Sequence, residues 1–108
     1  MRKHTEGDTV AAVLQLLRFH RIPCRRMNTG ATKIGGRFIR FGAPGMADIL
    51  AVLPPLGRAC FLEGKSARGV LSNQQRGFLD EMKAAGALTI VFRTVADVQD
   101  KLGLPVAR

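Results

Sequence analysis

The sequence has no tryptophan, no tyrosine and only six phenylalanines. Proteins that grip single-stranded nucleic acid stack bases on aromatic platforms, and this chain is poorly supplied with them. Its two cysteines, Cys24 and Cys60, give neither a disulfide framework nor metal-ligand spacing, so both read as free thiols on strands. No apolar run approaches the roughly 18–20 residues a membrane-spanning helix needs, which excludes a spanning segment, and no membrane partner is expected. The opening Met1-Arg2-Lys3-His4-Thr5-Glu6-Gly7-Asp8 lacks an apolar signal region, so a cytoplasmic protein is expected. Acids are scarce: eight Asp and Glu stand against 17 Lys and Arg, a formal charge of +9. Such an excess does not set a fold, but it favours a polyanionic partner.

What is present suits one globular domain spanning residues 1–108. The hydrophobic fraction of 46% is enough for a core without structural metal. The charge is uneven. Residues 1–46 hold nine Lys or Arg and two acids, whereas residues 47–108 hold eight and six. From Arg21 to Arg40 there are six basic residues and no acid. A single exposed Arg is ordinarily just solvated; an unopposed block in a small domain equally fits a phosphate-contacting surface.

Val10, Val13, Leu14, Leu16, Leu17 and Phe19 recur near the helical period behind Asp8, a candidate cap, and Pro23 ends that helix. Cys24 to Asn28 reads as a short basic strand. Asn28-Thr29-Gly30 and Gly35-Gly36 are turn chemistry. Arg37–Phe41 alternates as a strand, and Gly42-Ala43-Pro44-Gly45 breaks it. Two apolar runs, Ala47–Leu53 and Ala59–Glu63, flank Pro54-Pro55-Leu56-Gly57 and form an expected buried antiparallel hairpin. Ser72 caps a second helix that turns Phe78, Leu79, Met82 and Ala85 inward and stops at Gly86. Leu88–Arg93 is a further strand, and Thr94 caps a last helix through Val95, Val98 and Leu102, closed by Gly103. The expected order is α-β-β-β-β-α-β-α.

The informative feature is acids within apolar strands, because an ionised carboxylate is costly to bury unless paired or bound to metal. Asp48 opens one buried run and Glu63 closes the next. Lys65 shares the face of Glu63. In an antiparallel hairpin, opposed residues have numbers of constant sum. If Asp48 opposes Glu63, Val52 opposes Ala59 and Leu53 to Arg58 is the loop. The Cβ atoms of opposed residues then lie about 4.5–5.5 Å apart, a suitable mouth for one divalent cation with oxygen ligands. A one-residue slip would send the acids to opposite faces. Hard oxygens with no His/Cys cluster favour Mg2+ or Mn2+ over zinc. Lys65 would orient or polarise a water or stabilise phosphate charge, and the Gly64 carbonyl could add a backbone ligand. Spacing alone favours a strand-end ion pair of Glu63 with Lys65 or Arg40, with Asp48 as a turn residue. His4 and His20 have no partners for a His-based site, and Gly35-Gly36 lacks the other parts of a phosphate loop.

The neighbouring segments Gly45-Met46-Ala47-Asp48, Leu62-Glu63-Gly64-Lys65 and Gly69 through Leu79, with Arg26-Met27-Asn28-Thr29-Gly30 upstream and Val91 through Val98 downstream, resemble the VRR-NUC group of the PD-(D/E)XK nuclease superfamily. The resemblance runs from about Glu6 to Leu102. It implies an α/β fold, a restriction-endonuclease-like αβββαβ core around a mixed sheet with flanking helices. It also implies a metal-dependent DNA endonuclease in which Asp48 and Glu63 bind Mg2+ or Mn2+, Lys65 is the catalytic lysine and Gln75 lies beside the metal, with Gln74 as the register alternative. Glu6, or Asp8 in its place, matches a first-helix acid near the metal; both also suit a helix N-terminus on electrostatic grounds alone. Arg25, Arg26, Asn28, Lys33, Arg37 and Arg40 are the candidates for holding DNA. Small stand-alone members are similar to Holliday-junction resolvases, which implies branched or duplex DNA, a homodimer and a bacterial or phage-infected host. Ala47 stands where the superfamily has proline, and Gly64 stands where an apolar residue is usual, which would loosen the strand. A non-catalytic basic nucleic-acid-binding module on the same fold is the alternative.

Overall fold

Thr5 starts the first helix. Its hydroxyl accepts from the Asp8 amide while the Asp8 carboxylate accepts from the Thr5 amide, a reciprocal capping box. Asp8 is therefore the third helical residue and not the cap. The computed structural model describes residues 5–27 and 30–105, so His4, Asn28 and Thr29 lie outside the described residues. Helix α1 covers Glu6–Phe19 and β1 covers Cys24–Arg26. Strands β2, Gly30–Ile34, and β3, Arg37–Phe41, follow. Next come β4, Ile49–Leu53, and β5, Arg58–Gly64. Helix α2 spans Asn73–Ala84, β6 Leu88–Phe92 and α3 Val95–Leu102.

The fold is α/β. One mixed sheet has the order β1-β4-β5-β6, antiparallel except for the parallel β5–β6 pair. With the β2–β3 hairpin set apart as its own two-stranded sheet, the main elements run αβββαβ, then α3. The expected hairpin register holds, because Val52 pairs with Ala59, although Leu53 and Arg58 also pair and the turn shortens to 54–57. Strand β1 is shorter than Cys24–Asn28 would make it. Strand β2 departs from the expected order, in which Gly30 is turn chemistry.

Period-two alternation divides the sheet's side chains between two cores. Ile49, Ala51, Cys60, Leu62, Ile90 and Phe92 face Val13, Leu17 and Val98 of α1 and α3. On the other face Leu50, Phe61 and Ala47 meet Phe78, Leu79 and Met82 of α2, and Phe61 and Phe78 meet edge to face at 5.2 Å. Ala85 is exposed at the C-cap of α2 rather than turned inward. Both cysteines are free and buried on strands, and burial pushes the Cys60 thiol up to about 11, which leaves it unreactive. Among the described residues no helix is long and apolar enough to cross a membrane.

Candidate active site

The α2 face of the sheet ends in a charged cluster. Glu63, only 2% exposed, is the buried charged residue of the described chain. It sits on β5 two residues beyond Phe61 and so shares that residue's face. Strand β4 begins at Ile49, leaving Asp48 just outside the ladder but in register with Glu63. The Asp48 carbonyl accepts from the Met27 amide on the β1 side at 2.7 Å. Toward β5, the Asp48 amide donates to Glu63 Oε1 at 3.2 Å, and the Gly64 amide donates to Asp48 Oδ2 at 2.8 Å. Backbone and side chains thus cross-tie the two acids on one side of the sheet, where the expected register puts them.

Two further groups close the cluster. Gln75 Nε2 donates to Glu63 Oε2 at 2.9 Å, and Lys65 Nζ lies 3.5 Å from the same oxygen. Gln75 is held there by the start of α2. Its Oε1 accepts from the Ser72 amide while its own amide donates to the Ser72 hydroxyl, so the orientation of the side-chain amide follows from its partners. Gln74, the register alternative, is exposed. Its backbone lies over Gly45, where an added Cβ would be 2.5 Å from the Gln74 carbonyl oxygen. With φ of +79°, Gly45 also has a left-handed backbone that favours glycine. The loop into Asp48 and the first turn of α2 therefore meet at Gly45, a contact that its place in the sequence does not disclose.

Burial first, and then the Asp48 charge, push the Glu63 carboxyl up to about 7 from an ordinary 4.5. The Lys65 ammonium and the Asp48 amide pull the other way without offsetting this. The cluster is short of positive charge.

Packing accounts for Gly64. A Cβ there would stand 2.9 Å from Val10 Cγ2 and 3.0 Å from the Phe92 ring, both in the core. Glycine is what lets α1 close over the end of β5. Because the N–H and C=O of a strand residue point to the same side, the Gly64 carbonyl faces the Asp48 side with its amide.

The remaining candidates lie elsewhere. Glu6 is exposed, one turn before Val10 on a helix that packs against the other face. Among the described residues no three His, Cys, Asp or Glu side chains form a group that could hold a metal, so Glu6 does not complete one with Asp48 and Glu63. Asp8 serves the α1 capping box. Arg25 pairs with Leu50 and is on the face of the cluster, whereas Arg26 pairs with Ile49 and is on the other. Lys33 and Arg37 are exposed on the β2–β3 hairpin, and Arg40 lies on β3. His20 is the C-cap of α1, with Nε2 buried and unpartnered. A groove of about 580 Å³ between α1 and the start of α3 is lined by none of the four clustered residues.

No family model, curated protein or solved structure matches the chain. The site must therefore be judged on its own geometry.

Proposed function

We propose that this chain is a metal-dependent DNA endonuclease of the VRR-NUC type that hydrolyses phosphodiester bonds. One observation carries the reading: Asp48 and Glu63, from neighbouring antiparallel strands, are cross-tied on one sheet face beside Lys65 and Gln75. A divalent cation fits this donor set. Two carboxylates stand against one ammonium, and burial first, then the Asp48 charge, raises the proton affinity of Glu63, a cost that a bound cation would relieve. Asp48 and Glu63, with the Gly64 carbonyl, would hold Mg2+ or Mn2+, hard ions that prefer oxygen. Such an ion, when bound, acidifies water and polarises a phosphate oxygen.

The chain's own residues supply the rest. Lys65 Nζ, 3.5 Å from Glu63 Oε2, orients the attacking water or stabilises charge building on the phosphate. Gln75 fixes the Glu63 carboxylate and so positions a ligand. The first turn of α2 carries no acid, and its free amide ends favour an anionic phosphate nearby. Arg25 stands on the same face for the DNA backbone. Selectivity for branched DNA of the Holliday-junction or nicking kind, a homodimer and a cytoplasmic location belong to the same proposal.

The absence of a third acid among the described residues favours one other reading, a basic nucleic-acid-binding module that cuts nothing. Cleavage of duplex, flap and four-way-junction DNA in Mg2+ or Mn2+ separates the two. The wild type is expected to cut, and Asp48→Ala and Lys65→Ala to lose at least a hundredfold in rate while still binding DNA. Equal activity, or equal inertness, in all three proteins overturns the nuclease reading.

A further inference from the structure

The β2–β3 hairpin is a two-stranded sheet of its own, and its described side chains, residues 33–39, are exposed. Its strands pair only with each other, joined by Gly35-Gly36 at φ of +58° and +79°, the angles of a two-residue hairpin turn. Neighbouring residues on a strand point to opposite faces, yet Phe38 is 71% exposed and Ile39 43% exposed. Ile34 at the tip is 59% exposed. Lys33 stands opposite Phe38 and Ile34 opposite Arg37, so apolar and basic side chains adjoin across the ribbon.

We infer that this hairpin is an arm that enters a groove of duplex DNA, Lys33 and Arg37 contacting phosphates on its walls and Phe38 packing against sugar and base edges within. The inference rests on the nuclease reading for its choice of nucleic acid. Three observations favour DNA over a second copy of the chain. First, no Asp or Glu occurs between Asp8 and Asp48, so the arm and its flanks are basic throughout. An interface between identical arms would set these like charges against one another. Second, a two-stranded ribbon matches the major groove, about 12 Å wide and about 8.5 Å deep, and five residues at about 3.4 Å each reach its floor. Third, the arm is rooted beside the acidic cluster. Met27 bonds the Asp48 carbonyl and β2 begins three residues later, at most about 11 Å of chain. The root of the arm therefore lies close to Asp48.

The test is binding of a fluorescently labelled DNA duplex to the full chain in EDTA, titrated across salt. Each phosphate contact contributes about 0.9 to the slope of log affinity against log salt. Lys33→Ala combined with Arg37→Ala is expected to lower that slope by nearly 2 and the affinity at least tenfold. Phe38→Ala is expected to weaken binding about fivefold or more at an unchanged slope. Lys101→Ala, on α3, should leave both near wild type. All these side chains are exposed, and unchanged thermal unfolding confirms that folding is intact. A wild-type slope in the double variant overturns the proposal. So does a Phe38→Ala protein that sediments as a monomer, where the wild type is a dimer, with undiminished DNA affinity. Cleavage is scored separately. Arm variants that bind and cut like wild type sink the arm alone, whereas arm-dependent binding without cleavage sinks the nuclease reading alone.

Discussion

Glu63→Gln isolates the charge that the fold holds at a cost. Below about pH 4.5 the residue is protonated in both folded and unfolded chains and contributes no pH dependence. Between 4.5 and about 7 the folded protein keeps a proton that the unfolded chain has released, so stability falls as pH rises. Above about 7 the loss is complete. At about 1.4 kcal/mol per pH unit, the rise from 4.5 to about 7 corresponds to about 3 kcal/mol. For a domain of this size that is roughly 15 °C in Tm. Glutamine cannot ionise, so the variant lacks this slope. It does lose one acceptor, since the Asp48 amide and Gln75 Nε2 both donate to the carboxylate, but that cost is the same at every pH. The measurement is therefore the difference between wild-type and variant unfolding free energies from urea titrations in EDTA, pH 4 to 8.5. It is expected to shift by about 3 kcal/mol in favour of the variant as pH rises. Excess Mn2+ at pH 8 should restore the wild type and leave the variant unmoved, about 2.7 kcal/mol at a hundredfold excess over Kd. A difference that stays flat with pH would refute the claim that burial and Asp48 hold the Glu63 proton.

Three further substitutions separate packing from chemistry. Gly64→Ala places a methyl against Val10 and Phe92 and should cost about 1–3 kcal/mol in chemical denaturation. Gly45→Ala combines a left-handed backbone with a clash on the Gln74 carbonyl; it should cost at least about 2 kcal/mol and, by displacing the start of α2, slow cleavage more than Gly64→Ala does. Gln75→Glu preserves the α2 capping box yet sets a second carboxylate where Nε2 now lies 2.9 Å from Glu63 Oε2. It should keep helix content by circular dichroism, drive the Glu63 titration higher and cut the rate at pH 7 at least tenfold.

Much of the site was legible because buried acids constrain register. The apolar runs Ala47–Leu53 and Ala59–Glu63 set no register by themselves, but requiring Asp48 to oppose Glu63 pairs Val52 with Ala59, and that pairing is the one formed. Gln75 came from the resemblance with Gln74 left open, although the capping-box pattern Ser72-Asn73-Gln74-Gln75 decides between them. The same pattern, Thr5 to Asp8, would have named Thr5 as the α1 cap. Strand β2 was not legible: Gly30-Ala31-Thr32-Lys33-Ile34 has no alternating apolar face, and only pairing with β3 makes it a strand. Nor was the need for Gly64, which arises from Val10 and Phe92, residues distant in sequence that fill the space a side chain would take. The basic block looked like one surface because sequence order hides which face each residue takes. Arg25 and Arg26 fall on opposite faces of the sheet, and Lys33 and Arg37 leave it for the hairpin.

All three helices begin with the same reciprocal device, but α2 builds it from glutamine where α1 and α3 use aspartate. An amide retains a spare donor after the reciprocal bonds are made, and here that donor reaches across to β5. Helix initiation and completion of the acidic cluster are consequently one event. Fraying of the first turn of α2 therefore frees Glu63 Oε2 from its amide partner while the β4–β5 pairing that sets the two acids side by side stays intact.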